Sequence, residues 1–144
     1  MSIAPVLETH ALTKHYAVSS GLFAAAASVR ALEDVSLSLA PGRTLAIVGE
    51  SGCGKSTLAR QIAMLETPTS GTLSVAGHAT EGLTPEQLAA LRRRYIGFIF
   101  QSYNLFPTLT AEENVRLALD VRGERGSEAI IRAQRALHQV GLRH

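Results

Sequence analysis

Residues 49–56 read Gly49-Glu50-Ser51-Gly52-Cys53-Gly54-Lys55-Ser56, which fits the spacing G-x-x-x-x-G-K-[ST]. Glycines at this spacing let consecutive main-chain N–H groups converge on a polyanion with no Cβ in the way. In such a loop the ammonium of Lys55 reaches the β- and γ-phosphates of a nucleotide, and the Ser56 hydroxyl ligates Mg2+. With glycine at roughly 7% of residues, chance supplies the pattern in well under ~5% of chains of this length.

The flanks agree with the motif. Residues 44–48 (Thr-Leu-Ala-Ile-Val) form a short apolar run that ends on the first glycine, as a buried parallel strand would. Residues 56–65 follow with Leu58, Ile62 and Leu65 at helical spacing. Strand, glycine loop and helix is the order the motif needs, because the helix N-terminus adds its own attraction for anions.

The chain has 144 residues, 46% of them apolar and 18% charged, which suits one modest globular domain and excludes a disordered one. No run reaches the ~18 apolar residues needed to cross a bilayer. The longest candidate, residues 21–29, is short and alanine-rich. Residues 1–5 carry neither a charged nor an apolar leader region, so no secretory signal is expected. Cys53 has no internal partner for a disulfide, which agrees with a reducing cytoplasm, and in the loop it reads as a small residue. Net charge is +2, and the basic cluster Arg92-Arg93-Arg94 closes an expected helix, where cations suit the helix dipole. Nothing argues for a nucleic-acid partner.

Further along, the pattern predicts strands over 6–13, 29–39 and 72–75, with Lys14-His15-Tyr16 following the first strand and then a loop through Ala27. Residues 96–100 read as a buried strand ending on Gln101. Thr84-Pro85-Glu86-Gln87 and Thr110-Ala111-Glu112-Glu113 are helix starts with capping boxes, for helices reaching about Arg93 and Val121. A last helix is expected over 128–139, with Ile130, Ala133, Leu137 and Val140 in one stripe and Gly141 ending it. Leu117-Ala118-Leu119-Asp120, the one apolar run ending in an acid, reads as helix, so Asp120 is not expected to bind Mg2+.

In order and spacing, Tyr16, the segment 31–37 (Ala-Leu-Glu-Asp-Val-Ser-Leu), the loop 49–57, the turn 67–71 and Phe100-Gln101 resemble the ATP-binding subunit of ABC transporters. The resemblance runs over nearly all of residues 6–142. It implies an α/β P-loop NTPase fold, an ABC-type ATP-binding domain with an antiparallel β subdomain, incomplete at its C-terminus. On this reading residues 1–144 are one incomplete domain, with a nucleotide-binding α/β portion at 1–102 and the start of a helical subdomain at 103–144.

The resemblance also assigns roles. Tyr16 matches the aromatic that stacks on adenine, the alternative being a tyrosine packed at a strand end. Ser51, Gly52, Cys53, Gly54, Lys55, Ser56 and Thr57, with Gly49 opening the loop, match the residues that hold the phosphates of ATP. Gln101 matches the glutamine that touches Mg2+ or the attacking water, so that Ser56 and Gln101 are the expected metal contacts, and Lys55 and Gln101 the catalytic ones. Implied partners are transmembrane permease subunits and a second ATP-binding subunit, with the chain peripheral to the cytoplasmic face of the cytoplasmic membrane.

The two halves resemble different branches. Residues 15–71 look like dipeptide and oligopeptide importers; residues 83–115 look like lipoprotein-release and macrolide-export ATPases. The family's Leu-Ser-Gly-Gly-Gln signature, its apolar strand ending in Asp-Glu and its switch histidine are not found in the 144 residues. Hydrolysis by these residues alone is therefore not expected, and a nucleotide-binding module without turnover is the alternative to an ATPase subunit. A small kinase would also need only the phosphate loop. Because the Asp-Glu strand lies beside residues 44–48 in the resembling fold, the isolated chain is expected to be poorly soluble or partly folded.

Overall fold

The computed structural model describes residues 4–18, 27–102 and 104–142. Most of the expected loop after Tyr16 (residues 19–26), residues 1–3, Tyr103 and residues 143–144 lie outside the described residues. The chain divides into two compact units, Met1–Ile96 and Gly97–His144.

The first unit is built on an antiparallel sheet of four strands: β1 (Leu7–Val18), β2 (Ala27–Leu39), β3 (Ser70–Val75) and β4 (His78–Ala79), in the order β2-β1-β3-β4. Its helices are α1 (Lys55–Ile62) and α2 (Pro85–Tyr95). Strand β1 runs five residues past the expected end at Thr13, so Tyr16 is a ladder residue opposite Val29 and the strand takes in Ala17 and Val18 of the expected loop. Pairing with β2 along 13–18 supplies the hydrogen bonds that residue type alone does not announce. The two-residue β4 carries no alternation and was not legible in the sequence.

The β1–β2 ladder slips between Thr9 and Leu12, where Ala11 takes a φ of 48°, and again between Leu12 and Lys14, opposite Asp34 at a φ of 51°. Side chains replace the missing rungs. The buried Thr9 hydroxyl donates to the Val35 carbonyl at 2.9 Å and accepts from the Leu37 N–H at 3.1 Å. The N–H of Ala11 donates to Ser36 Oγ at 2.9 Å.

One face of this sheet packs on α1. Leu12 and Leu32 from β1 and β2, Leu73 and Val75 from β3, and Leu58 and Met64 from α1 and its end form the buried cluster, with Leu88 and Leu91 of α2 against it. Burial of a leucine such as Leu58 contributes about 1.5–3 kcal/mol from area alone. Helix α2 begins as the capping box predicts: Thr84 accepts from the Gln87 N–H at 3.3 Å, and Gln87 Oε1 accepts from the Thr84 N–H at 2.8 Å. Its basic end departs from expectation. Arg93 and Arg94 are exposed, but Arg92 is half-buried and donates to the Met64 carbonyl at 2.7 Å. Its cation therefore sits at the C-terminal end of α1, whose orphan carbonyls attract positive charge.

The second unit holds α3 (Ala111–Val121) and α4 (Ser127–Gln139). Thr110 and Glu113 close the expected capping box, and their hydrogen bonds hold the Glu113 carboxyl below its usual range. Asn114 ties the preceding turn to α3: its Oδ1 accepts from the Phe106 N–H at 2.8 Å, and its Nδ2 donates to the Leu109 carbonyl at 3.1 Å. On α4 the buried residues are Ala129 and Ala133, while Ile130 and Leu137 are half-buried and Val140 is exposed. Asp120 lies in α3, as read.

Two expectations are overturned. Residues 44–48 and 96–100 are not strands and, apart from the half-buried Ile96, they are exposed. Residues 44–48 make no backbone–backbone hydrogen bond among the described residues, nor do 97–101. A parallel strand takes its bonds from a neighbour far away in sequence, and neither run has a ladder partner among the described residues. Val48 is 88% exposed and Ile99 fully so, and Phe98 and Phe100 stack with centroids 5.8 Å apart.

Unpaired apolar backbone of this kind is a template for association. Sedimentation of the purified chain is expected to show self-association that rises with concentration and falls in the Val48→Lys, Ile99→Lys double variant. A monodisperse monomer with one cooperative thermal transition would contradict this. Leu58→Ala is expected to destabilise the first unit by about 2–5 kcal/mol, read by urea denaturation.

Candidate functional site

The loop 49–54 enters α1 through Gly54, the N-cap, whose φ of 92° and ψ of 0° are left-handed. A Cβ there would run into the Ala31 carbonyl of β2 and sit 3.2 Å from Leu32 Cδ2, so both the angle and the close approach demand glycine. Gly49 is constrained otherwise: a Cβ would lie 2.5 Å from Cys53 Sγ, across the ring of the loop. Cys53 is thus a small side chain folded against the first glycine, and it is free and exposed.

No side chain caps the start of α1, and its first turn holds no acid. The N–H groups of that turn are therefore left for another acceptor, at the positive end of the helix dipole. Lys55 bends back over the loop, donating to the Gly49 carbonyl at 2.8 Å and the Glu50 carbonyl at 2.7 Å, with Cys53 Sγ at 3.4 Å. These bonds place an ammonium over the ring of main-chain amides.

Beside the loop lies a cleft of about 350 Å³. Ser51, Gly52, Gly54, Lys55, Ser56 and Thr57 form one wall, and Val29 to Ala31 of β2 form the other. The β2 wall was missed in the sequence, since nothing in Val29-Arg30 marks it as facing the loop. Arg30 is held on Glu33 at 3.0 Å, both side chains exposed.

Tyr16 is the ladder partner of Val29, which lines this cleft. Its hydroxyl donates to Glu66 Oε2, and Lys14 Nζ lies 5.2 Å from the centre of its ring. The hydrogen bond to Glu66, with desolvation and the Glu66 charge, raises the Tyr16 phenol above its ordinary value, against smaller lowering effects of Thr57 and Arg60. Sequence reading missed Glu66, which sits 50 residues from Tyr16.

Lys55, Ser56, Thr57, Tyr16 and the loop glycines are thus together in the first unit. Gln101 belongs to the second unit, at a bend following residues 96–100, and its side chain is exposed. Among the described residues there is no group of three or more His, Cys, Asp or Glu able to hold a metal. The donors that fit Mg2+ here are hydroxyl and amide oxygens, which suits an ion that keeps most of its waters and leans on phosphate oxygens.

Residues 32–144 match the sequence profile described as ABC transporter. The chain belongs to the ABC transporter family. It is 42% identical over 150 aligned residues to the di/tripeptide transport ATP-binding protein DppF of Pseudomonas aeruginosa (strain UCBPP-PA14), covering 96% of this chain and 43% of that protein. It is 45% identical over 116 residues to the lipoprotein-releasing system ATP-binding protein LolD of Bordetella avium (strain 197N), covering 81% of this chain and 50% of that one. The macrolide export ATP-binding/permease protein MacB of Rhodopseudomonas palustris (strain HaA2) is 44% identical over 81% of this chain and 18% of its own length. The chain thus spans about half or less of these relatives.

Among solved structures, the dimeric post-hydrolysis state of the ATP-binding cassette MJ0796, bound to ADP and Pi, superposes with a TM-score of 0.79 at 34% identity. The match covers 96% of this chain and 58% of that one. The fold is accordingly the ABC-type P-loop domain, and the four-stranded sheet is its antiparallel part.

The Gly54 contact gives a differential test. Gly52 and Gly54 are both left-handed, but only Gly54 meets a neighbour, so Gly54→Ala adds a clash to a conformational cost of roughly 1–2 kcal/mol that both variants share. Urea denaturation is expected to rank Gly54→Ala below Gly52→Ala; equal stabilities would dismiss the close approach.

Proposed function

We propose that this chain is the nucleotide-binding part of an ABC transporter ATPase, which binds Mg-ATP to energise transport across the cytoplasmic membrane. The observation that carries the reading is the uncapped start of α1 beneath the Lys55 ammonium, opened by a left-handed Gly54 where a Cβ cannot fit. Amides of residues 51–57 hold the phosphates, and Lys55 exchanges its two loop carbonyls for β- and γ-phosphate oxygens. Ser56 and Gln101 are the residues that would hold Mg2+, which would supply charge neutralisation on those phosphates. Tyr16 stacks on adenine, its strand paired there with Val29 of the cleft wall.

We further propose that a permease and a second ATP-binding subunit complete the working assembly, with this chain peripheral to the membrane on its cytoplasmic side. No described helix is long and apolar enough to cross a bilayer. For the cargo we propose peptides, because the similarity to DppF covers 96% of the chain, against 81% for LolD. The LolD and MacB relatives support a lipoprotein- or macrolide-type exporter as the second reading. The organisation proposed is one ATP-binding domain, with a nucleotide-binding portion at 1–102 and a helical portion starting at 103.

Calorimetric titration with Mg-ATP tests the central claim. Lys55→Ala is expected to weaken binding roughly tenfold or more, the scale of one charge-assisted hydrogen bond lost, with the circular dichroism spectrum unchanged. Equal affinity in a folded Lys55→Ala variant refutes the phosphate cradle. Phosphate release over many turnovers separates an ATPase from a module that only holds nucleotide.

A further inference from the structure

Two separate parts of the first unit converge on the carboxylate of Glu66. Its Oε2 accepts the Tyr16 hydroxyl from β1, and its Oε1 faces Arg60 Nη1 of α1 at 3.4 Å. Glu66 itself lies on the turn that follows α1, with its side chain 25% exposed. The next residue, Thr67, lends its carbonyl to Lys14 Nζ at 2.7 Å, and that same ammonium sits over the Tyr16 ring. One end of the ring is tethered by its hydroxyl, and one of its two faces is taken by a cation.

We propose that Glu66 is a positioning residue for nucleotide recognition: it anchors the Tyr16 hydroxyl so that the ring's remaining face is held ready for a purine base. The inference rests on the reading of Tyr16 as the base-stacking residue and adds to it the group that orients the ring. The physical benefit is preorganisation. A tyrosine on a strand edge loses rotamer freedom when a base stacks on it, and a ring already fixed by Glu66 and Lys14 loses less. Arg60 Nη1, 3.4 Å from Oε1, holds the Glu66 carboxylate between its two partners. Because Arg60 and Glu66 flank the end of α1, the tether also ties the base subsite to the helix whose start forms the phosphate subsite.

The test separates base from phosphate. Affinities for Mg-ATP and for magnesium tripolyphosphate, measured by calorimetry on the full chain, give a ratio that reports the base contribution alone. In Glu66→Ala and in Tyr16→Phe this ratio is expected to fall about three- to tenfold, the scale of one net hydrogen bond, while tripolyphosphate affinity stays the same. Glu66→Gln, whose amide oxygen still accepts from the hydroxyl, is expected to keep most of the ratio. The double variant Glu66→Ala, Tyr16→Phe is expected to lose no more than either single one. A ratio unmoved by Glu66→Ala, equal losses for both ligands, or additive losses in the double variant would overturn the positioning role. If the unmutated chain binds tripolyphosphate as tightly as ATP, the base-stacking role of Tyr16 falls and this inference with it; if it binds neither, the phosphate cradle is what fails.

Discussion

Everything at the site depends on how α1 is pressed against the antiparallel sheet. Leu58 and Met64 are buried among Leu12, Leu32, Leu73 and Val75, and that burial fixes the helix in place and in rotation. Leu58 also closes the first turn, its N–H donating to the Gly54 carbonyl at 2.8 Å. Once Leu58 is seated next to Leu32, the residue one turn earlier has to lie on the Ala31 main chain. The glycine is therefore needed because the core is where it is. A binding loop made of exposed, polar main chain thus takes its position from a hydrophobic contact a few residues away.

The same sheet explains why one part of the chain is well knit and two short segments are not. β1 with β2, and β3 with β4, find partners after short connections, and β1 bridges the pairs. The bulged β1–β2 ladder even recovers its lost rungs from Thr9, Thr13 and Ser36. Residues 44–48 and 96–100 have the composition of interior parallel strands, and among the described residues neither is paired in a ladder. Composition marks a segment as fit for burial; only a neighbour can bury it.

Local signals were the ones that could be read in advance. Both capping boxes, at Thr84 and Thr110, need only residues three apart, and both form as spaced. The phosphate loop is similarly a matter of eight consecutive residues, and the fold family followed from its company of Tyr16, the turn 67–71 and Phe100-Gln101. What escaped was long-range. The extension of β1 to Val18 comes from its partner β2, Arg92 spans 28 residues to reach the end of α1, and Glu66 spans 50 to reach Tyr16. Each depends on two segments being folded onto one another, which no spacing along the chain encodes.

Sequence by itself determined that this chain carries the glycine-lysine loop spacing between an apolar run and a helix, within an ABC-type frame, because glycine placement and helix caps act through neighbouring residues. Only the tertiary structure decided that β2 walls the cleft, that Tyr16 stands in a ladder tethered to Glu66, and that the apolar run before the loop lies exposed. Those outcomes turn on which distant main chains meet, and meeting is settled by packing, not by residue type.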